Sequence, residues 1–430
     1  MNQPVTEANR IESLDVLRGY ALLGILLLNI LGFGLHSAAY SNPGFDLSGD
    51  VNANLVTYIT VELFGEGAMR ALFSILFGAG VVLFTTGSRT GRGWLHYKRT
   101  FWLLVFGLFD AFILLWTGDI LVTYALAGAL LYFFRDLSAN RLLAAGAALL
   151  ILMSLFYGAS RVAIDEARDA AELVAAAGTR EDLHPAVVST AALWDDFKAD
   201  FVPTLDEVEE EYAARRHSYS SAFAWSLKKN VEMLTFIIPA FLFWDALAMM
   251  LIGMALYKYG VLSGTAPASV YPRLMLFGFG TGLAVNGFEV YGAISSNLDL
   301  IHVFAQMQPS YHVGRVGMAM GYIGLLVWMT QRGYLTGLRS RLADVGRMAL
   351  TNYLLQSLIC LFIFTGAGLS LVGELDRAQL YPVVFAIWLC QLGLSPWWLQ
   401  RFRFGPIEWL WRALTYGEAP PFKRAAPSQA

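Results

Sequence analysis

The sequence predicts an all-α fold, a polytopic integral membrane bundle of about ten transmembrane helices. Three observations carry that expectation. Hydrophobic residues make up 57% of the 430 and charged ones only 15%, against about 25% charged in soluble domains. Apolar runs of bilayer-spanning length recur along the whole chain. Basic residues gather in alternate connections, the positive-inside pattern, which puts both termini in the cytoplasm. A net charge of −3 gives no reason to expect a nucleic-acid partner. Cys360 and Cys390 lie in apolar runs and point to neither a disulfide framework nor a zinc site.

In chain order, spans are expected at 15–36, 68–87, 99–117, 118–134, 142–160, 231–257, 271–293, 312–331, 346–367 and 379–400. The first reads as a retained span, since no signal-peptide layout surrounds it. Arg89, Arg92, Lys98 and Arg99 mark one cytoplasmic connection, and Arg332, Arg339, Arg341 and Arg347 another, while Arg70, Arg315 and Arg377 are exceptions on the outer side. This divides the chain into a membrane core over 1–160, an extracytoplasmic acidic insertion over 161–230, a second core over 231–402 and a cytoplasmic tail over 403–430. A short apolar run before Gly65 has the length of an interfacial or re-entrant helix. The insertion carries Asp206, Glu207, Glu209, Glu210 and Glu211 and is expected to form amphipathic helices, either a solvated cap or a docking surface on the outer face.

The first span is the most informative. Arg18, Ala21, Ile25, Asn29, Gly32 and His36 recur at steps of three and four, along one side of a helix. Small residues there let helices approach closely and a lone Asn can bridge to a neighbour. A stripe that also holds an arginine, an amide and a histidine reads as the wall of a polar path. Asp15 and Arg18, three apart, can pair on one face or anchor the span at the interface. His36 is a candidate proton acceptor because an imidazole titrates near neutrality.

Other polar clusters follow. Asp110 falls mid-span, where a carboxylate needs an opposite charge, a proton or a water-filled cavity. Asp119, after Gly118, reads either as a helix cap or as part of the same site. Glu66 and Arg70 are four apart and form either a helix pair or the mouth of a pocket. His312 and Arg315 share a face, and Arg315 is expected to pair with Asp110, Asp119 or Glu289. Asn352 and Gln356, four apart in an apolar helix, either bond across to another helix or line the cavity of Asn29. Asp245 and Glu289 each stand alone in a span.

Several stretches together resemble the bacterial YeiB-like inner-membrane family of unknown function. They are Leu14–Gly19 running into Leu28–Ile30, Ala71–Gly78, Gly118–Leu121, Gly346–Ser357 and Phe404–Arg412. That family is similar to a wider superfamily of membrane-embedded acyltransferases, which includes the lysosomal heparan acetyltransferase. The resemblance implies acetyl-CoA or another acyl-CoA bound from the cytoplasm, no metal, and a small-molecule or glycan acceptor on the far side. Arg18 and Asn29 look like the heparan enzyme's leading Arg and the Asn that follows it. YeiB-like proteins commonly carry His at the position of Asp110, which leaves the identity of the base open. Expected partners are membrane lipid and the acceptor, with a homodimer left open.

On the acyltransferase reading, His36 or Asp110 supplies the base, Asn29 is the oxyanion donor or an orienting group and Asp119 is a further catalytic residue, while Arg18, Arg89, Arg92 and Arg99 hold the nucleotide phosphates. Asp15, Glu66, Arg70, His312, Arg315, Asn352 and Gln356 line the substrate cavity. The alternative is a proton-coupled solute transporter or channel, which intramembrane Asp110, Asp119, Arg315 and Glu289 fit equally.

Overall fold

The computed structural model describes residues 11–47, 51–85, 92–177 and 183–424. The helices are α1 (Glu12–Gly34), α2 (Ala53–Phe64), α3 (Ala68–Thr85), α4 (Arg92–Phe112), α5 (Leu121–Leu131), α6 (Ala139–Ala177), α7 (Pro185–Phe201), α8 (Leu205–His217) and α9 (Tyr219–Glu232). A π-helical stretch, Met233–Leu242, joins α9 to α10 (Phe243–Lys258). There follow α11 (Val270–Ser295), α12 (Leu300–Val303), α13 (Tyr311–Arg332), α14 (Thr336–Arg347), α15 (Ala349–Phe364), α16 (Leu380–Arg401) and α17 (Pro406–Tyr416). Among the described residues there is no strand, only an isolated bridge from Phe402 to Lys423.

Each of the ten expected stretches falls mainly on helix. Among the described residues, six helices are long and apolar enough to cross a membrane, and a seventh joins them if α14 and α15, bent by 82° at Met348, count as one span. The remainder are shorter or more polar. The 39 residues of α6 run far beyond one bilayer, roughly 58 Å at about 1.5 Å per residue, so its second half leaves the bundle and packs on α7. Pro239 explains the π stretch, because it lacks an N–H and its ring crowds the preceding turn.

Close helix contact is made through small residues. Gly278 and Gly282 on α11 face Gly317 and Gly321 on α13, with the backbone of each helix against the other, the G-x-x-x-G geometry of membrane helices. At Gly19 on α1 an added Cβ would collide with the Leu342 carbonyl of α14, and at Gly346 with that of Asp15. This seam pins the bend of α14–α15 to the start of α1.

The insertion is tied down by buried charge. From α8, Arg215 donates to the carbonyls of Gly32 (3.0 Å), Phe33 (2.7 Å) and Leu35 (2.8 Å), closing the carboxyl end of α1. Glu211 accepts from Arg215 at 3.0 Å and from the Ser37 N–H at 2.9 Å. The acidic run is therefore only partly a solvated face, since Glu211 and Arg215 are each 5% exposed.

Candidate functional site

Two cavities lie at opposite ends of α1. The larger, about 200 Å³, is at the amino end. Its mouth carries Arg18 and Asp15 of α1, Arg99 of α4, Arg347 of α14, and Glu408 and Arg412 of α17. Its walls are apolar, built by Phe73, Leu76, Phe77 and Val81 of α3 with Leu103, Leu121 and Leu350. Tyr124 of α5 and Tyr353 of α15 also line it, away from the arginines. A cationic rim over an apolar shaft is shaped for an anionic amphiphile.

Among the described residues, cations at the rim outnumber carboxylates: Arg18, Arg99, Arg347 and Arg412 against Asp15 and Glu408. Arg18 donates to Asp15 at 3.0 Å and Arg347 to Asp344 at 2.9 Å. Glu408 is occupied elsewhere: it accepts from the Thr351 N–H at 2.9 Å and the Thr351 hydroxyl at 2.5 Å, capping α15. Burial pushes the Glu408 carboxyl above its ordinary range, against those bonds. Arg99 and Arg412 have no ion-pair partner among the described residues. Arg99 sits against the rings of Phe84 (5.0 Å) and Trp411 (4.4 Å), and Arg412 against Phe404 (4.5 Å). The two guanidinium groups are close enough to repel each other, with Glu408 the opposing charge on Arg412, so an anion at this rim would be favoured electrostatically.

Beyond Tyr353 lie the carboxylates of the α4–α5 turn. Asp119 accepts from the Val122 N–H at 2.9 Å, the cap anticipated from sequence, and from the Tyr353 hydroxyl at 3.4 Å. Asp110 is fully buried, and neither of its carboxylate oxygens has a hydrogen-bond partner among the described residues. Asp119 and Ser357 are its polar neighbours.

The second cavity, about 20 Å³, is at the carboxyl end of α1 and is lined by Tyr58, Glu62, Glu66, Asn286, Glu289, Tyr311 and Arg315, among others. Part of its charge is spent internally, while Glu62 and Glu289 have no salt-bridge partner among the described residues and Glu289 accepts from the Ser310 hydroxyl. Arg315 pairs with Asp245 of α10 and donates to His312 Nδ1 at 3.1 Å. Arg70 lies 3.7 Å from Asp245 and donates to the Tyr311 hydroxyl at 2.8 Å, which donates to Glu66 at 3.1 Å. The expected partners of Arg315 (Asp110, Asp119 or Glu289) are thus replaced by Asp245. Glu66 and Arg70 are bridged by Tyr311 instead of pairing directly, because Gly67, at φ +63°, breaks the chain between α2 and α3.

The remaining candidates are dispersed. Asn29 is buried and lines neither cavity. His36 lies beneath α8: its Nδ1 accepts from the Ala38 N–H at 3.1 Å, so Nε2 carries the proton and faces Glu211 at 3.1 Å. Burial lowers the His36 pKa, with Glu211 opposing that shift. Asn352 donates to Ser395 at 3.0 Å and Gln356 to Gln391 at 3.0 Å, an amide ladder between α15 and α16 that lines neither cavity. Arg89 lies outside the described residues, and only the backbone of Arg92 is described. Among the described residues no group of three or more His, Cys, Asp or Glu side chains is placed to hold a metal ion.

Sequence reasoning did not single out Tyr353, Arg347, Glu408 or Arg412 as site residues. The signal was present, since all four fall within the Gly346–Ser357 and Phe404–Arg412 stretches. What was missing was the knowledge that α17 folds back under α4, where the Trp411 indole donates to the Arg99 carbonyl at 2.8 Å.

Fold and site together define an all-helical protein with several helices apolar enough to cross a membrane and an arginine-rimmed cavity at one end of the bundle. The chain belongs to the YeiB family. It is 31% identical over 412 residues to “Uncharacterized protein YeiB” of Escherichia coli (strain K12), covering 95% of this chain and 97% of that one. It is 28% identical over 421 residues to “Uncharacterized protein YxaH” of Bacillus subtilis (strain 168), covering 96% of each. The family model described as a protein of unknown function, DUF418, matches residues 256–418. No solved structure matches the chain.

Proposed function

We propose that this protein is a membrane-embedded acyltransferase that takes an acyl group from an acyl-CoA at the amino-end cavity and passes it to an acceptor on the other side of the membrane. In this reading it is a protein of the bacterial inner membrane with ten crossings and both termini in the cytoplasm, where the basic connections lie. The observation that carries the reading is the rim of the amino-end cavity: Arg99 and Arg412, without a salt-bridge partner among the described residues, stand over an apolar shaft that Tyr124 and Tyr353 also line. The phosphates of CoA suit the guanidinium groups, and the narrow pantetheine arm suits the shaft. The thioester then lies at Tyr353 and Tyr124, and the acceptor is a small molecule or glycan bearing a hydroxyl or amine.

Equilibrium binding of radiolabelled acetyl-CoA to the purified protein in detergent tests this. Saturable binding with a Kd between about 1 µM and 1 mM, the usual range for enzyme substrates, is the expected result, with loss on Arg99→Ala. An absence of binding up to millimolar concentration contradicts it.

One observation favours a second reading, a proton-coupled transporter. Asp110 is fully buried and its carboxylate has no hydrogen-bond partner among the described residues, as in proton-carrying sites of membrane carriers. A carrier gives pH-driven solute uptake by proteoliposomes with no thioester present, whereas the transferase consumes acetyl-CoA.

A further inference from the structure

Two tyrosines, Tyr124 and Tyr353, line the shaft, and their hydroxyls are not equivalent. The Tyr124 hydroxyl is committed within the protein, 2.6 Å from the Ser74 hydroxyl and 3.4 Å from the Arg70 carbonyl, to which it donates. The Tyr353 hydroxyl accepts from the Ile120 N–H at 3.2 Å and donates toward Asp119 Oδ1 at 3.4 Å. One lone pair is therefore held by the backbone and the proton points at a carboxylate; the Trp116 indole is a further polar neighbour of this hydroxyl, and the Tyr353 side chain lines the cavity. Asp119 is fixed in turn through its other oxygen, which accepts from the Val122 N–H at 2.9 Å. Only a residue without a side chain fits opposite: a Cβ at Gly107 would lie 2.8 Å from Asp119 Oδ2 and 2.7 Å from the Val122 nitrogen. Tyr353 thus both lines the cavity and contacts a buried carboxylate.

We infer that Tyr353 is a catalytic residue that relays the acceptor's proton to Asp119. This rests on the acyltransferase reading and names the reacting end of that site. The acceptor's oxygen or nitrogen attacks the thioester carbonyl carbon. Its proton passes to Tyr353 Oη as the Tyr353 proton moves to Asp119, so the phenol is neutral before and after. The carbon–sulfur bond then breaks, and the proton returns from Asp119 through Tyr353 to the CoA sulfur. The products are the acylated acceptor and CoA thiol, with no oxidant or reductant required. The 3.4 Å separation is long for a hydrogen bond and is of the kind that shortens when substrate is seated.

The test uses the full-length protein in detergent, with acetyl-CoA as donor and glucosamine, which offers both hydroxyls and an amine, as the acceptor probe. Tyr353→Phe keeps the ring, and Asp119→Asn keeps an acceptor for the Val122 N–H. Both variants are expected to bind acetyl-CoA within about twofold of the unmodified protein, yet to release CoA thiol about 100-fold or more slowly. The double variant should be no slower than the slower single one, because one relay is broken only once. A variant that binds acetyl-CoA and turns over within about threefold of the unmodified protein overturns the relay, as does a double variant whose losses multiply. If the unmodified protein does not bind acetyl-CoA, the acyltransferase reading and the relay fall together, an outcome distinct from binding without dependence on Tyr353.

Discussion

The two ends of α1 are both rich in charge, but they use it differently. At the carboxyl end, Arg315, Arg70, Asp245, Tyr311 and Glu66 form one continuous buried network, and Arg215 with Glu211 seals the helix terminus above it. At the amino end, Arg99 and Arg412 face a cavity with aromatic rings against them and no salt bridge among the described residues, Glu408 being the opposing charge that acts on Arg412. A buried charge that is paired holds the fold together; a charge left unpaired beside a void is where a ligand supplies the missing partner. The distinction can be attacked from either end.

The largest effect is expected where a paired charge is broken. Asp245→Ala strands Arg315, which is 1% exposed, and should destabilise the protein by about 3–5 kcal/mol. Thermal unfolding in detergent checks this, and a change within about 0.5 kcal/mol would dissolve the contrast. The matching change at the other end, Arg99→Leu, should alter stability by less than about 1 kcal/mol. Next in size is the effect on ligand. Arg99→Ala and Arg412→Ala should each weaken acetyl-CoA binding by about 1.5–3 kcal/mol, the range for hydrogen bonds to charged groups, read by titration calorimetry.

A smaller effect concerns the seal over α1. The pKa of His36 is lowered by burial, so the unfolded chain takes up this proton more readily than the folded one. Its contribution to stability is therefore present above about pH 6.5, the ordinary imidazole value, and is lost as pH falls through the lower folded value. Melting temperature should drop on acidification from pH 7 to 5, and His36→Gln should flatten that part of the profile. Each tenfold difference in proton affinity corresponds to about 1.4 kcal/mol. The smallest change is expected in the amide ladder: Gln356→Leu should cost about 0.6 kcal/mol, as for interhelical hydrogen bonds within membranes, with acetyl-CoA affinity unchanged.

Much of this architecture was legible in the residues. Apolar runs located the helices, because a helix in lipid must be greasy along its length, and the cap at Asp119 followed from its place after a glycine. The stripe on α1 shows what periodicity can and cannot say. It identified one side of a helix correctly as polar and small, but not what packs against each turn. Arg18 lines the amino-end cavity, Asn29 lines neither cavity, and His36 lies under α8. Likewise the need of Arg315 for a carboxylate was readable, but the choice of Asp245, 70 residues away, depends on how α10 and α13 meet. The contribution of α17 was hidden for the same reason, since a short amphipathic helix near the chain's end looks like a tail until its docking against α4 is seen.

The most direct test of the contrast is a structure of the full-length protein determined with a non-hydrolysable acyl-CoA analogue. Density is expected with its phosphates at Arg99 and Arg412 and its acyl end at Tyr353. Density for the analogue at the carboxyl-end cavity, or an amino-end cavity without density at an analogue concentration of about 1 mM, at the upper end of the usual substrate range, would contradict it.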